Sequence, residues 1–251
     1  MRLSAAVLLT FILLFSSSLA FAQLTDEPDI FSAENGDLSI QPILHGSVIF
    51  EWNDMDVYVD PWGSADLYEG KSAPELILIT HPHGDHLSPE TLASLQTEDA
   101  TFIVPQVVAD QMPEEYSNQT IILANGDSHS TEGINVLAVP MYNLPNEGAR
   151  HTKGWGNGYV VTMGGKKIYV SGDTEDIPEM RQLENIDIAF VCMNLPYTMD
   201  IYQAASGVLE FEPKVMYPYH HRGQDIMRFK EVVDWEGKNI DVRLKDWYPG
   251  Q

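Results

Sequence analysis

The sequence predicts an α+β protein, an αββα four-layer sandwich in which two mixed β-sheets pack face to face with helices outside. Three observations predict it. The chain opens on β-type runs separated by turn residues, and each half then alternates strand and helix. One run, Glu75-Leu76-Ile77-Leu78-Ile79-Thr80, is almost wholly apolar, as a strand buried on both faces must be. With 251 residues, 44% of them hydrophobic, the chain can build one large core. No internal repeat and no low-complexity linker divides it.

The elements follow in order. Met1-Arg2, an apolar run from Ala5 to Phe15, Ser16-Ser17-Ser18 and Ala20-Phe21-Ala22 have the layout of a secretory signal peptide, residues 1–22, with cleavage expected after Ala22. The apolar stretch is shorter than the ~20 residues a membrane span needs, so a secreted or periplasmic protein without a membrane anchor is expected. Residues 23–37 read as a polar leader and 38–251 as the folded domain.

Runs at 38–41, 45–52 and 56–60 read as strands, the last two joined by the turn Asn53-Asp54. After the apolar strand, Ser88-Pro89-Glu90 places an N-cap before a helix-starting proline. Strands are expected at 101–104, 121–123 and 134–140, with a short helix at 106–111. Segments 158–163 and 166–170 form a hairpin around Gly164-Gly165. Helices at 175–183, 201–209 and 225–233 then alternate with strands at 186–193, 215–219 and 241–244.

Charge narrows the function. The chain has 14 Lys+Arg against 37 Asp+Glu, a formal net charge of −23. Nucleic acids and anionic membranes select clustered bases, so neither is an expected partner. The imbalance is local. Residues 23–147 hold one base, Lys71, against 22 acids, while 150–251 hold 12 bases against 15 acids. The single cysteine, Cys192, lies in the apolar run Ile188-Ala189-Phe190-Val191-Cys192-Met193, the setting of a buried small hydrophobe and not of a nucleophile.

The strongest signal is Thr80-His81-Pro82-His83-Gly84-Asp85-His86, where a strand empties into three histidines and an aspartate. Imidazole nitrogens suit zinc, iron and similar metals, and carboxylate oxygens can bridge two of them. Metal binding is the reading.

This His-x-His-x-Asp-His run leaving a buried strand resembles the metallo-β-lactamase superfamily, over about residues 38–245. Within it the chain is most similar to the metal-dependent hydrolase branch that includes ascorbate-6-phosphate lactonase-like proteins, on the further evidence of His45-Gly46 and Asp60-Pro61-Trp62. The resemblance implies that His81 and His83 bind a first metal and Asp85 and His86 a second. Asp173 in Ser171-Gly172-Asp173-Thr174 would bridge them, and His220 in Tyr217-Pro218-Tyr219-His220-His221 would complete the second site, with His221 as its alternative. His151, several residues beyond Tyr142-Asn143, would complete the first, with His129 as its competitor.

It further implies two divalent cations, zinc or else iron or manganese, holding a hydroxide that attacks an ester-like bond: a lactone, phosphoester or phosphodiester. Asp85 and Asp173 are the catalytic carboxylates of that expectation. A non-catalytic metal-binding protein and a β-lactamase are the other readings. Around these residues, His45 and Asp60 are expected to support the ligands, and Asn194, Tyr197 and Thr198 to line the pocket. Arg150, Lys153 and Arg222 flank proposed ligands in a chain poor in bases, which predicts an anionic small-molecule substrate.

Overall fold

The structure, a computed structural model, describes residues 27–249. The expected signal peptide at 1–22 and its cleavage site lie outside the described residues. Strands β1 (Asp29–Ala33), β2 (Gly36–Leu44), β3 (Ser47–Trp52), β4 (Met55–Val59), β5 (Leu76–Leu78), β6 (Thr101–Val104) and β7 (Thr120–Ile122) form one sheet in that spatial order. The first four run antiparallel, and β4 to β7 run parallel.

The second sheet repeats the pattern. It contains β8 (Ser128–Thr131), β9 (Ile134–Met141), β10 (Gly156–Met163), β11 (Lys166–Val170), β12 (Ile188–Cys192), β13 (Val215–Tyr219) and β14 (Asp241–Val242), again in chain order. Here too the first four are antiparallel and β11 to β14 parallel. The chain is thus two copies of one topology, a duplication with no trace in the sequence.

Period-two alternation assigns the faces. Leu38, Ile40, Val48, Phe50, Val57, Val59, Leu76 and Leu78 of the first sheet share one core with Tyr159, Val161, Ile168, Val170 and Phe190 of the second. Their neighbours Ile49, Tyr58, Ile77, Ile79, Phe102 and Val104 form a separate core with Leu92 of α1 (Pro89–Ser94) and Val108 of α2 (Gln106–Ala109). The second sheet is covered by α3 (Pro178–Arg181), α4 (Ile201–Phe211) and α5 (Ile226–Trp235), with Phe211 edge-on to Tyr169 at 5.9 Å.

Side-chain caps start the helices. The Ser88 side chain accepts from Thr91 N, with Pro89 in the first turn, and Asp200 accepts from both Tyr202 N and Gln203 N. Among the described residues, no helix is long and apolar enough to cross a membrane.

Three expectations change. The polar leader carries β1, which pairs with β2 from Asp29↔Ile40 to Ala33↔Gly36, and β2 itself begins at Gly36. It is an edge strand with Ile30 left 58% exposed, so its sequence lacks the strong alternation of a half-buried strand. The helix expected at 175–183 contracts to the four residues of α3, because Pro178 starts it late. His129, expected in a loop, lies in the edge strand β8.

Candidate metal centre

Strands that point the same way end together, and the centre is built on those ends. The segment after β5 delivers His81, His83, Asp85 and His86, Asp173 follows β11, and His220 follows β13. His151 arrives on the loop between β9 and β10. The family resemblance implied these seven residues; the fold brings His81, His83, His86, His151 and His220 around Asp173, with Asp85 beside His220.

Asp173, 3% exposed, lies at the middle. Its Oδ2 is 3.9 Å from His81 Nε2 and 3.6 Å from His151 Nε2. Its Oδ1 is 3.5 Å from His86 Nε2 and 3.4 Å from His220 Nε2. His83 joins the first set through Nδ1, 3.2 Å from His151 Nε2, and His86 and His220 face each other at 3.1 Å between their Nε2 atoms. The donor atoms of His81, His83, His151 and Asp173 all lie within 4.8 Å of one another, as do those of His86, Asp173 and His220.

Asp85, expected in the second set, stands beside it at His220. Its carboxylate converges with His45 and His220, not within the set formed by His86, Asp173 and His220. Its Oδ2 is 3.1 Å from His45 Nε2 and 3.6 Å from His220 Nε2.

The donors fit divalent cations. His81 Nε2 and Asp173 Oδ1 are buried without a hydrogen-bond partner, although such groups are costly to leave unpaired. Burial, reinforced by neighbouring imidazoles, holds His81 well below its usual pKa, and burial lowers His151 to about 4, so both rings are neutral with a lone pair to offer. Burial alone would raise Asp173, but the surrounding histidines, His220 and His86 first, outweigh it and keep the carboxyl ionised.

Hydrogen bonds behind the rings fix which nitrogen faces inward. Fully buried Asp60 accepts from Thr80 N at 2.7 Å through Oδ1, and from Thr80 Oγ1 at 2.6 Å and His86 Nδ1 at 2.7 Å through Oδ2. With its own proton committed to Asp60, Thr80 Oγ1 accepts from His81 Nδ1 at 3.0 Å. One carboxylate therefore turns the Nε2 atoms of His81 and His86 toward the centre. On the other side, Asn143 Oδ1 accepts from His151 N and His151 Nδ1, both at 2.9 Å, while its amide donates to Tyr197 O at 3.0 Å.

The backbone is shaped for this purpose. His45, Asp60, His220 and Arg222 all adopt positive φ, between 38° and 57°, a conformation that side chains other than glycine enter at a cost. Gly46 sits at a close approach, where a Cβ would stand 3.1 Å from His220 Cδ2 and 3.3 Å from His86 Cε1 and would press on both rings.

Alternatives raised by the sequence separate cleanly. His220 turns inward, whereas His221 packs edge-on against Tyr248 at 4.9 Å. His151 reaches the cluster and His129 does not. Of the pocket candidates, Tyr197 lines a cavity of about 240 Å³ with Asn143 and Arg150. Asn194 and Thr198 are instead buried, and the Thr198 hydroxyl accepts from Asn194 N to build the turn. Lys153 is committed elsewhere, paired with Glu179 and over the Tyr142 ring at 5.2 Å. Arg150 is exposed over the Tyr197 ring at 4.6 Å, and Arg222 is exposed with its backbone N–H on Tyr248. Cys192 is buried, its thiol pushed up to about 12 chiefly by burial, so it is no nucleophile.

Sequence reasoning gave no role to Thr80, Gly46, Tyr248 or Trp155. Trp155 walls the first set, its ring 5.0 Å from His83 and 5.7 Å from His81. Thr80 and Gly46 carried a signal only as neighbours of the motif and of His45, and Tyr248 and Trp155 carried none.

This centre between two stacked mixed sheets defines a class: the chain belongs to the β-lactamase superfamily, whose domain profile matches residues 39–220. More particularly, it is similar to proteins named as metal-dependent hydrolases. It is 30% identical over 203 residues to a UPF0173 metal-dependent hydrolase of Thermoplasma acidophilum, covering 76% of this chain and 87% of that one. Among solved structures, one described as a metal-dependent hydrolase of Parabacteroides distasonis has a TM-score of 0.79 at 36% identity, over 88% of this chain and 98% of that one. The metallo hydrolase Igni18 of Ignicoccus hospitalis shares the fold, with a TM-score of 0.71 at 23% identity over 85% and 96% of the two chains.

Proposed function

We propose that this metal-dependent hydrolase of the metallo-β-lactamase superfamily works with two divalent cations, zinc in the first instance, and cleaves an ester-like bond in a small molecule. The observation that carries the reading is the pairing of four ring nitrogens, two to each oxygen, around the single buried carboxylate of Asp173. Cations held in this way lower the pKa of a water toward ~7 and polarise a lactone or phosphoester oxygen.

The chain's own groups do the rest. Asp173 joins the two sets, Asp60 and Asn143 orient the rings, and Trp155 shields His81 and His83 from solvent. Arg150 and Arg222 have no carboxylate within ion-pair distance among the described residues, whereas Lys153 is held by Glu179; of the two, Arg150 lines the cavity beside Asn143, the residue that orients His151, and is the base best placed to attract an anionic substrate. Export on the N-terminal signal sequence belongs to the same proposal, and a mature protein beginning at Gln23 is its test.

Metal analysis of the purified chain should return two equivalents. A panel of p-nitrophenyl phosphodiesters, lactones and a chromogenic β-lactam should then show turnover on one of the first two classes. His81→Ala should lose metal and activity together. Two bound metals with no turnover on any substrate would favour a binding protein. Arg150→Gln should raise KM for an anionic ester and leave a neutral one unchanged; equal effects on both would refute its role.

A further inference from the structure

Asp85 stands at the end of a hydrogen-bonded chain that begins far away in sequence. Its Oδ2 is 3.1 Å from His45 Nε2; His45 Nδ1 is 2.7 Å from the Tyr248 hydroxyl, and that hydroxyl accepts the backbone N–H of Arg222 at 2.8 Å. Every direction in this chain is fixed by chemistry. A carboxylate only accepts, so His45 Nε2 must carry the proton. In a neutral ring Nδ1 is then the acceptor, so Tyr248 must donate to it. The tyrosine keeps a lone pair for Arg222 N–H, which can do nothing but donate.

The same segment also holds the backbone. His45 N donates to Trp247 O at 2.9 Å, and His220 N donates to His45 O at 3.0 Å. The His45 ring lies over that of His220, with centroids 3.7 Å apart. At 1% exposure His45 is shut off from water as an alternative partner.

We propose that Tyr248 is a positioning residue of the metal centre: the Asp85 carboxylate sets the Nε2–H tautomer of His45, and the Tyr248 hydroxyl, donating to Nδ1, holds that ring in the orientation that fixes Asp85 beside His220. A protonated Nε2 has no lone pair, so His45 serves Asp85 and is not itself a metal ligand. This rests on the reading of the cluster as a metal centre for its consequence, but not for its geometry.

Two measurements on the full chain separate these. Long-range ¹H–¹⁵N correlation spectra, recorded with and without Zn²⁺, should show His45 as the Nε2–H tautomer in both. An Nδ1–H tautomer, or a zinc-bound Nε2, would overturn the proposal without any need of a variant. Tyr248→Phe removes only the hydroxyl, so its spectrum should keep the Nε2–H tautomer of His45 but shift the Nδ1 resonance, that acceptor having lost its donor; an unmoved Nδ1 resonance would refute the contact. In Co²⁺ titrations followed by absorption, the variant should keep the wild-type affinity at one site and bind the other about 10- to 100-fold more weakly, the usual effect of removing a group behind a ligand. Restoration by Tyr248→His, whose ring can again donate, would support the donor role. Two wild-type affinities in Tyr248→Phe would refute it. If the wild type binds no divalent cation, the metal reading fails, and the Nδ1 shift in Tyr248→Phe alone decides whether Tyr248 holds His45.

Discussion

Replacing Asp60 by asparagine tests how the centre is oriented, because the change preserves shape and alters only which atoms donate. Asp60 accepts three hydrogen bonds, from Thr80 N, Thr80 Oγ1 and His86 Nδ1, at 2.6–2.7 Å and with no exposure to solvent. An asparagine can keep Oδ1 for Thr80 N, since the opposite flip would set two donors against each other. Its NH₂ then faces His86 Nδ1 and Thr80 Oγ1. His86 must move its proton to Nε2 to accept, and in doing so it loses the lone pair directed at the centre. The Thr80 hydroxyl must accept as well, turning its proton toward His81 Nδ1 and imposing the same reversal on His81.

Asp60→Asn therefore disables one ring in each set. We expect divalent-metal affinity to fall about 10- to 100-fold at both sites, or about 1.4–2.7 kcal/mol each. Competition against a chromophoric chelator measures this directly, and thermal unfolding of the metal-free protein checks that the variant folds. Unchanged affinity at both sites in a folded variant would refute the tautomer argument. Weakening at one site only would restrict it to His86.

Other consequences follow from the same coordinates. Gly46→Ala puts a methyl against the rings of His86 and His220, and should cost about 1–3 kcal/mol of stability along with weaker metal binding, read by calorimetry and chelator competition; wild-type values for both would show that the rings have room to retreat. Asp56 is 7% exposed and its carboxyl is raised to about 6, by burial first and then by Glu51. A carboxyl raised on folding leaves stability intact below its unfolded pKa and removes it as pH climbs through about 6. Asp56→Asn should thus stabilise the protein at pH 8 by about 1–2 kcal/mol after solvent screening, with the gain vanishing below pH ~4; a gain independent of pH would exclude this cause. Cys192 should resist thiol reagents in the native state and react on denaturation, and rapid native labelling would contradict its burial.

Much of the centre was legible because its residues are chemically rare and closely spaced. His81, His83 and His86 announce themselves, and Asp173 and His220 were implied by the family resemblance, which expects an aspartate and a histidine after those strands. What the sequence concealed was partnership. Asp85 reads as a ligand like its neighbours, yet its nearest ring is that of His45, 40 residues away, because β2 ends beside the turn after β13. Lys153 reads as a pocket base until Glu179, on α3, is found to claim it. Ambivalent residues such as Thr80 and Tyr248 do not declare a role, since a hydroxyl beside a motif or in a tail is ordinary in composition. Strand β1 was hidden for a different reason: an edge strand buries too little to impose strong alternation.

The duplicated topology explains why two aspartates far apart in sequence serve one centre. In each sheet the fourth strand is the point at which antiparallel pairing gives way to parallel, and each of these strands, β4 and β11, runs out into an aspartate. Asp60 follows β4 and Asp173 follows β11. They hold equivalent places in the two halves but play different parts. Asp173 faces the histidines directly with both oxygens, while Asp60 acts one bond further back, through Thr80 and His86. At such a junction the next strand must cross over before it pairs, leaving the strand end uncovered, and side chains there can turn toward the space between the sheets. The charge divides along the same line: the half built on the first sheet holds a single base, Lys71, and the half that brings Arg150 and Arg222 to the rim holds nearly all the rest. Neither half can form the centre alone, since the first supplies His81, His83, Asp85 and His86, and the second supplies His151, Asp173 and His220.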